Sequence, residues 1–125
     1  IYDGNLFDAC SYASTAAINS CKIPKYEMQD EKPVKIEGEF TEPPLTTLPI
    51  SVTMAKIGDY IIVDPNFDES SIMDARITIT TNSDGNVVAL QTGGHDGFTQ
   101  DDLIKCAEIS VRVGSKIREI IKQSK

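Results

Sequence analysis

Large apolar and smaller polar residues alternate along Ile50-Ser51-Val52-Thr53-Met54, the period of a strand with one buried face. Gly58-Asp59 then offers a two-residue hairpin turn with glycine first, and Tyr60 to Val63 is a short, continuously apolar return strand. Ala75-Arg76-Ile77-Thr78-Ile79-Thr80-Thr81 alternates again. Asn82-Ser83-Asp84-Gly85-Asn86 is a turn signal, and Val87 to Gln91 reads as a fourth strand. The short connections predict an antiparallel meander.

Helical spacing appears at both ends. Ile1-Tyr2-Asp3-Gly4-Asn5 reads as a strand end and turn, with Asn5 or Asp3 as helix cap. Leu6, Ala9, Cys10, Ala13, Ala17 and Cys21 then recur as an alanine-rich stripe that predicts the packing face of a helix. Near the other end, Thr99 is a good N-cap, and Asp101 and Asp102 suit the helix dipole. Leu103, Ala107, Gly114, Ile117 and Ile121 mark the expected inner face, widened by Ile104, Val111 and Ile120. Lys116, Arg118, Lys122 and Lys125 crowd the last turns, where cations favour the exposed carbonyls; a basic helix end also offers an RNA contact. Between the helices, Lys22 to Pro49 holds Pro24, Pro33, Pro43, Pro44 and Pro49 out of 6 prolines in the chain. That composition predicts an irregular surface connector with at most a short edge strand at Val34-Lys35-Ile36. The expected organisation is an α/β fold. Residues 1–24 end one unit, 25–49 connect, and 50–125 form a mainly antiparallel four-stranded sheet covered by a long C-terminal helix.

Composition adds limits. With 125 residues, 40% hydrophobic and 25% charged, the chain suits one small domain with a modest core. It starts at Ile1, not Met, and so reads as a piece of a longer protein. No apolar run is long enough to span a bilayer, and no membrane partner is expected. The 12 basic and 19 acidic residues leave a net charge of −7, which argues against broad phosphate binding. Any RNA contact must come from a local patch, a segment beyond this chain or a partner subunit. Cys10, Cys21 and Cys106 are far apart, without a CxxC, and read as buried small hydrophobes in a reducing compartment. His95 is the sole histidine, which excludes a His-rich metal site. Gly93-Gly94-His95-Asp96-Gly97 reads as a flexible link without the lysine and spacing of a phosphate loop.

The stretch from Ile62 to Asp74 carries the candidate chemistry. An apolar strand ends at Asp64, Pro65 stops it, and Asp68, Glu69 and Asp74 follow. Carboxylates clustered at a strand end can hold Mg²⁺ or share a proton. They can equally form a solvated turn, in which Asp64 accepts hydrogen bonds from the backbone after Pro65. Asp74 has Arg76 or a partner's cation as candidate ion-pair partners. Phe7 and Phe67, without flanking basic residues, read as packing residues and not as base-stacking platforms.

Several motifs together resemble the C-terminal half of an RNase PH-family protein, in particular the non-catalytic ring subunits of archaeal-type exosomes. They are Asp3-Gly4-Asn5-Leu6-Phe7-Asp8-Ala9, Val63-Asp64-Pro65-Asn66, Ser71-Ile72-Met73-Asp74-Ala75-Arg76-Ile77 and Gly97-Phe98-Thr99, and the similarity runs from Ile1 to about Lys122. The resemblance implies a two-layer RNase PH-like domain (ribosomal protein S5 domain 2-like), with residues 1–24 closing the first subdomain. Catalytic members of the family attack the RNA 3′ end with phosphate and hold that phosphate in a Gly-Thr-Arg grip at the helix start. Here Leu6 and Phe7 stand at the Thr and Arg positions. Asp64 matches the first family acid, Ser70 stands at the second, and Asp74 takes a further acidic position; Asp68 and Glu69 leave a shifted metal site open. The resemblance therefore implies a non-catalytic subunit with no cofactor of its own. It would pair with a catalytic RNase PH-type subunit in a six-membered ring, beside RNA-binding cap subunits, and meet RNA through the assembled ring. It would be cytoplasmic, and nuclear as well in a eukaryote. Two other readings stay open: a phosphorolytic exoribonuclease using Asp64, Asp68 and Asp74 with Mg²⁺, or an acidic protein-binding module.

Overall fold

The computed structural model describes residues 3–124, so the strand end expected at Ile1-Tyr2 and the terminal cation Lys125 lie outside the described residues. The elements run α1 (Leu6–Ser20), β1 (Ile23–Gln29), β2 (Lys32–Thr41), β3 (Ile50–Ile57), β4 (Tyr60–Val63), α2 (Phe67–Ile72), β5 (Ala75–Thr81), β6 (Val87–Gly94) and α3 (Gln100–Gln123).

The four expected strands form one sheet in the order β4-β3-β5-β6, with every neighbouring pair antiparallel. It is not a simple meander. β4 and β5 flank β3 on opposite sides, so the chain crosses over β3 between them. The crossover is α2, in the stretch whose acids suggest either a carboxylate site or a solvated turn. Asn66 and Glu69 form a reciprocal capping box there: the Glu69 N–H donates to Asn66 Oδ1 and the Asn66 N–H to Glu69 Oε2. Gly93-Gly94, expected as a flexible link, continues β6.

α3 covers one face of the sheet. Val52 and Met54 of β3 and Ile77 and Ile79 of β5 pack with Cys106, flanked by Ile61, Phe98, Ala107, Ile109 and Val113. The buried line on α3 is Cys106, Ser110, Gly114, Arg118 and Ile121. Leu103, expected on the inner face, and Ile104, Val111 and Ile120, expected to widen it, are exposed. The reason is close approach: a Cβ at Gly114 would sit only 2.8 Å from Thr81 Oγ1, so small residues occupy the line of contact. Arg118, expected as a terminal cation, turns inward. Its Nη1 donates to the Thr81 carbonyl at 2.8 Å, beside the register slip between Thr80 and Thr81.

α1 inverts its expected orientation. β4 pairs only with Met54–Ile57 of β3, which leaves the outer edge of the first half of β3 without a strand. α1 covers that edge with polar groups. The Thr53 N–H donates to Asp8 Oδ2 at 2.7 Å, the Ser51 N–H donates to Ser11 Oγ at 3.3 Å, and the Thr15 hydroxyl donates to the Pro49 carbonyl at 3.0 Å. Asp8, Ser11 and Thr15 share one helical face and step down the edge in register. The buried residues of α1 are therefore Asp8 and Thr15, while Leu6, Ala9, Cys10, Ala13 and Ala17 face outward. Cys10 and Cys21 are exposed and only Cys106 is buried, against the expectation of three buried thiols.

The proline-rich connector is a β1-β2 hairpin for most of its length. Asp30 and Glu31 both take left-handed φ (49° and 63°), which closes a two-residue turn without glycine. Pro24 lies at a register slip, and Pro33 lies in a two-stranded ribbon where each strand keeps one open edge.

Candidate functional site

The two short acid-bearing turns meet at the start of α1. Asn5 caps α1, accepting the Asp8 N–H at 3.3 Å, and the Phe67 N–H at the start of α2 donates to Asp3 Oδ1 at 3.3 Å. A cleft of about 380 Å³ opens between them, lined among others by Asn5, Phe7, Pro65, Ser70 and Arg76. Leu6 and Phe7 are 53% and 52% exposed, and neither side chain has a donor for an anion.

The cation in this cleft comes from the sheet. Alternation along β5 sends Ile77 and Ile79 toward α3 and Arg76, Thr78 and Thr80 to the opposite face. Arg76 Cζ lies 5.7 Å from the Phe7 ring centroid, within cation–π range. Gly93, its partner on β6, leaves the space: a Cβ there would sit 3.3 Å from Arg76 Nη2. Arg76 has no carboxylate partner among the described residues. Asn5 Nδ2 is buried, and the Asn5 side chain lies by the Asp8 carboxyl, which it helps to hold down. From sequence, Arg76 is offered as a partner for Asp74. The same strand alternation that placed the core residues was the available signal for its true direction.

The candidate carboxylates disperse. Asp64 sits in the left-handed region (φ 57°) at the end of β4, and its N–H donates to the Thr53 carbonyl at 3.0 Å. No described backbone donor reaches its carboxylate, in contrast to the expected Asp turn; it lines a hollow with Asp3, Asp8 and Tyr12. Asp68 is exposed in the first turn of α2. Asp74 accepts the Gly58 N–H at 2.7 Å and so ties the β3-β4 turn to the start of β5; it does not pair with Arg76. Among the described residues no three His, Cys, Asp or Glu side chains come together to hold a metal ion.

Electrostatics single out the buried Asp8 and the half-buried Tyr12, which line the hollow beside Asp64. Burial pushes the Asp8 carboxyl above its ordinary value, the Thr53 hydrogen bonds oppose this, and the charge of Asp64 adds to the rise. Tyr12 is raised too, by burial first and then by the charges of Asp8 and Asp64.

Comparison with known proteins places the chain in a family. The model of the 3′ exoribonuclease family, domain 2, matches residues 47–113. The chain is 41% identical over 121 residues to the exosome complex component Rrp42 of Thermococcus gammatolerans, covering 96% of this chain and 44% of that protein. It superposes on a chain of an archaeal exosome core with a TM-score of 0.80 at 34% identity, covering 98% of this chain and 47% of that one. A structure of the Archaeoglobus fulgidus exosome with RNA bound to the active site gives a TM-score of 0.78 at 36% identity, with 94% and 44% covered. The chain spans a little under half the length of these relatives.

Proposed function

The chain belongs to the 3′ exoribonuclease (RNase PH) family, and from that membership we propose that it is part of a non-catalytic subunit of an exosome, a phosphorolytic ring that shortens RNA from the 3′ end. Its role is to pair with a catalytic RNase PH-type subunit, complete the ring and shape the neighbouring active site and RNA path. Cap subunits and RNA are met through that assembly. Under this reading the protein works inside the cell, in the cytoplasm of an archaeal source, where the free exposed thiols of Cys10 and Cys21 stay reduced.

One observation carries the reading. Where the family's phosphate grip requires Thr and Arg at the start of the helix, α1 presents the exposed apolar side chains of Leu6 and Phe7. Phosphoryl transfer depends almost wholly on positioned positive charge and hydrogen-bond donors, so losing that grip removes the main catalytic term. The dispersed carboxylates point the same way, because Asp74 is already engaged by the hairpin turn and Asp68 faces solvent.

The test is Asp64→Asn in the reconstituted ring. Phosphorolysis per ring is expected to stay unchanged while the ring assembles. A fall of about 100-fold with assembly intact, the scale on which removing a transition-state contact acts, would return Asp64 to a catalytic role.

A further inference from the structure

We propose that the β1-β2 ribbon is a docking arm, whose apolar face seats on a patch of the neighbouring catalytic subunit that is apolar at its centre and basic at its rim. The inference rests on the ring reading above and adds a surface through which this chain holds its neighbour.

The ribbon has two unlike faces. Pro24, Tyr26 and Met28 alternate onto one side of β1, and across the ladder they meet Phe40, Lys35 and Pro33. The other side is polar and satisfied within the ribbon: Lys25 pairs with Glu39 at 3.3 Å, and the Gln29 amide donates to Glu27. The described residues leave the apolar side uncovered. Tyr26, Met28 and Phe40 are 60%, 69% and 49% exposed, and in the two strands only Pro24 and Ile36 are even half-buried. A two-stranded hairpin alone is marginal in water, and packing against a further element is what makes one stable. Large apolar side chains gathered on one face mark the side where that element sits.

Charge selects the occupant. Asp30 and Glu31 form the tip of the ribbon, while Lys25 and Lys35 are already taken up by Glu39 and Glu37. The arm therefore presents negative charge, which disfavours RNA. A second copy would set two such tips, on chains of net charge −7, against each other. In a ring that holds RNA, the cations lacking here must come from the neighbour. The acidic tip complements that basic surface while Tyr26 and Met28 fill the apolar centre.

The test is pairing of the full-length protein with its catalytic partner, followed by titration and by association rate. Tyr26→Ser with Met28→Ser is expected to weaken pairing by about tenfold or more. Asp30→Asn with Glu31→Asn removes the charge from the tip, and asparagine enters such a turn readily, so the ribbon stays folded. It should slow association several-fold at low salt and flatten the salt dependence of the rate. Wild-type affinity in the serine pair, or a wild-type salt response in the asparagine pair, would overturn the proposal. If the serine pair melts the ribbon, the asparagine pair decides alone. A dimer of the full-length protein by itself that the serine pair abolishes would hand the face to a second copy. Weaker RNA binding by rings that assemble normally would hand it to nucleic acid. Each of these also overturns the proposal. The ring reading fails by a different result, a wild-type protein that does not pair with the catalytic subunit at all, and the arm then falls with it.

Discussion

α1 and α3 both rest on β3 and hold it by opposite means. α3 lies over the sheet face and excludes water with Cys106 and its apolar neighbours, so close that Gly114 is needed where it passes Thr81. α1 lies along the edge and supplies hydrogen bonds where a strand would have supplied them. Each helix also has one aspartate that matters, and the two are shifted in opposite directions. Asp8 is 3% exposed and raised by burial, whereas Asp102 is drawn down to about 2 by its bonds to Lys56 and to the Thr99 cap. A helix on a sheet face is read from its apolar stripe. A helix on a sheet edge is read from its polar one.

The sharpest break in that contrast is Asp8→Ala. It leaves the buried Thr53 N–H without an acceptor and removes a second bond from the Thr53 hydroxyl, and is expected to cost about 3 kcal/mol in denaturant unfolding. A cost below about 1 kcal/mol would mean that α1 is held by something other than its polar face. Next comes Arg118→Ala on α3, which orphans the Thr81 carbonyl and empties a buried stem. Roughly 2 kcal/mol is expected in the same measurement. Gly114→Ala drives a methyl against Thr81 Oγ1 and should cost about 1–2 kcal/mol, with α3 displaced from the sheet in a crystal structure.

The smallest effects are in pH dependence, where the two aspartates should separate. Because the folded Asp8 carboxyl titrates above 3.8, the folded chain keeps its proton where the unfolded chain has lost it. Its contribution is complete below 3.8 and lost as pH rises through the folded value, so wild type loses stability relative to Asp8→Asn across that window. Asp102 runs the other way. Its contribution is present above 3.8 and disappears as pH falls toward 2, so Asp102→Asn should flatten the acid limb of the unfolding profile. Unfolding midpoints recorded across the acid range check both signs.

These contrasts also explain which parts of the chain were legible. β3 and β5 follow alternation, β4 is a short apolar run after a glycine turn, and the Asn82–Asn86 turn and the Thr99 cap follow local chemistry, so all were readable. The orientation of α1 was not, because the rule that apolar stripes face inward fails when the buried surface is a strand edge demanding donors and acceptors. The β1-β2 hairpin was hidden because its turn uses Asp30 and Glu31 in place of the glycine or asparagine that normally marks such a turn. α2 is announced by Asn66 and Glu69 at capping-box spacing, but a helix of 6 residues between two strands carries too little periodicity to stand out from a turn. In the site, the apolar character of Leu6 and Phe7 was plain from the residues alone. Arg76 was not legible there, because its place in the cleft depends on where α1 sets Phe7 and on the space left by Gly93.

The most direct measurement of the central claim is phosphate-dependent release of nucleoside diphosphate from an RNA 3′ end by the full-length protein freed of its partners. The account predicts no release above the protein-free blank, with activity appearing only when the catalytic partner is added back. Sustained release by the protein alone would contradict it.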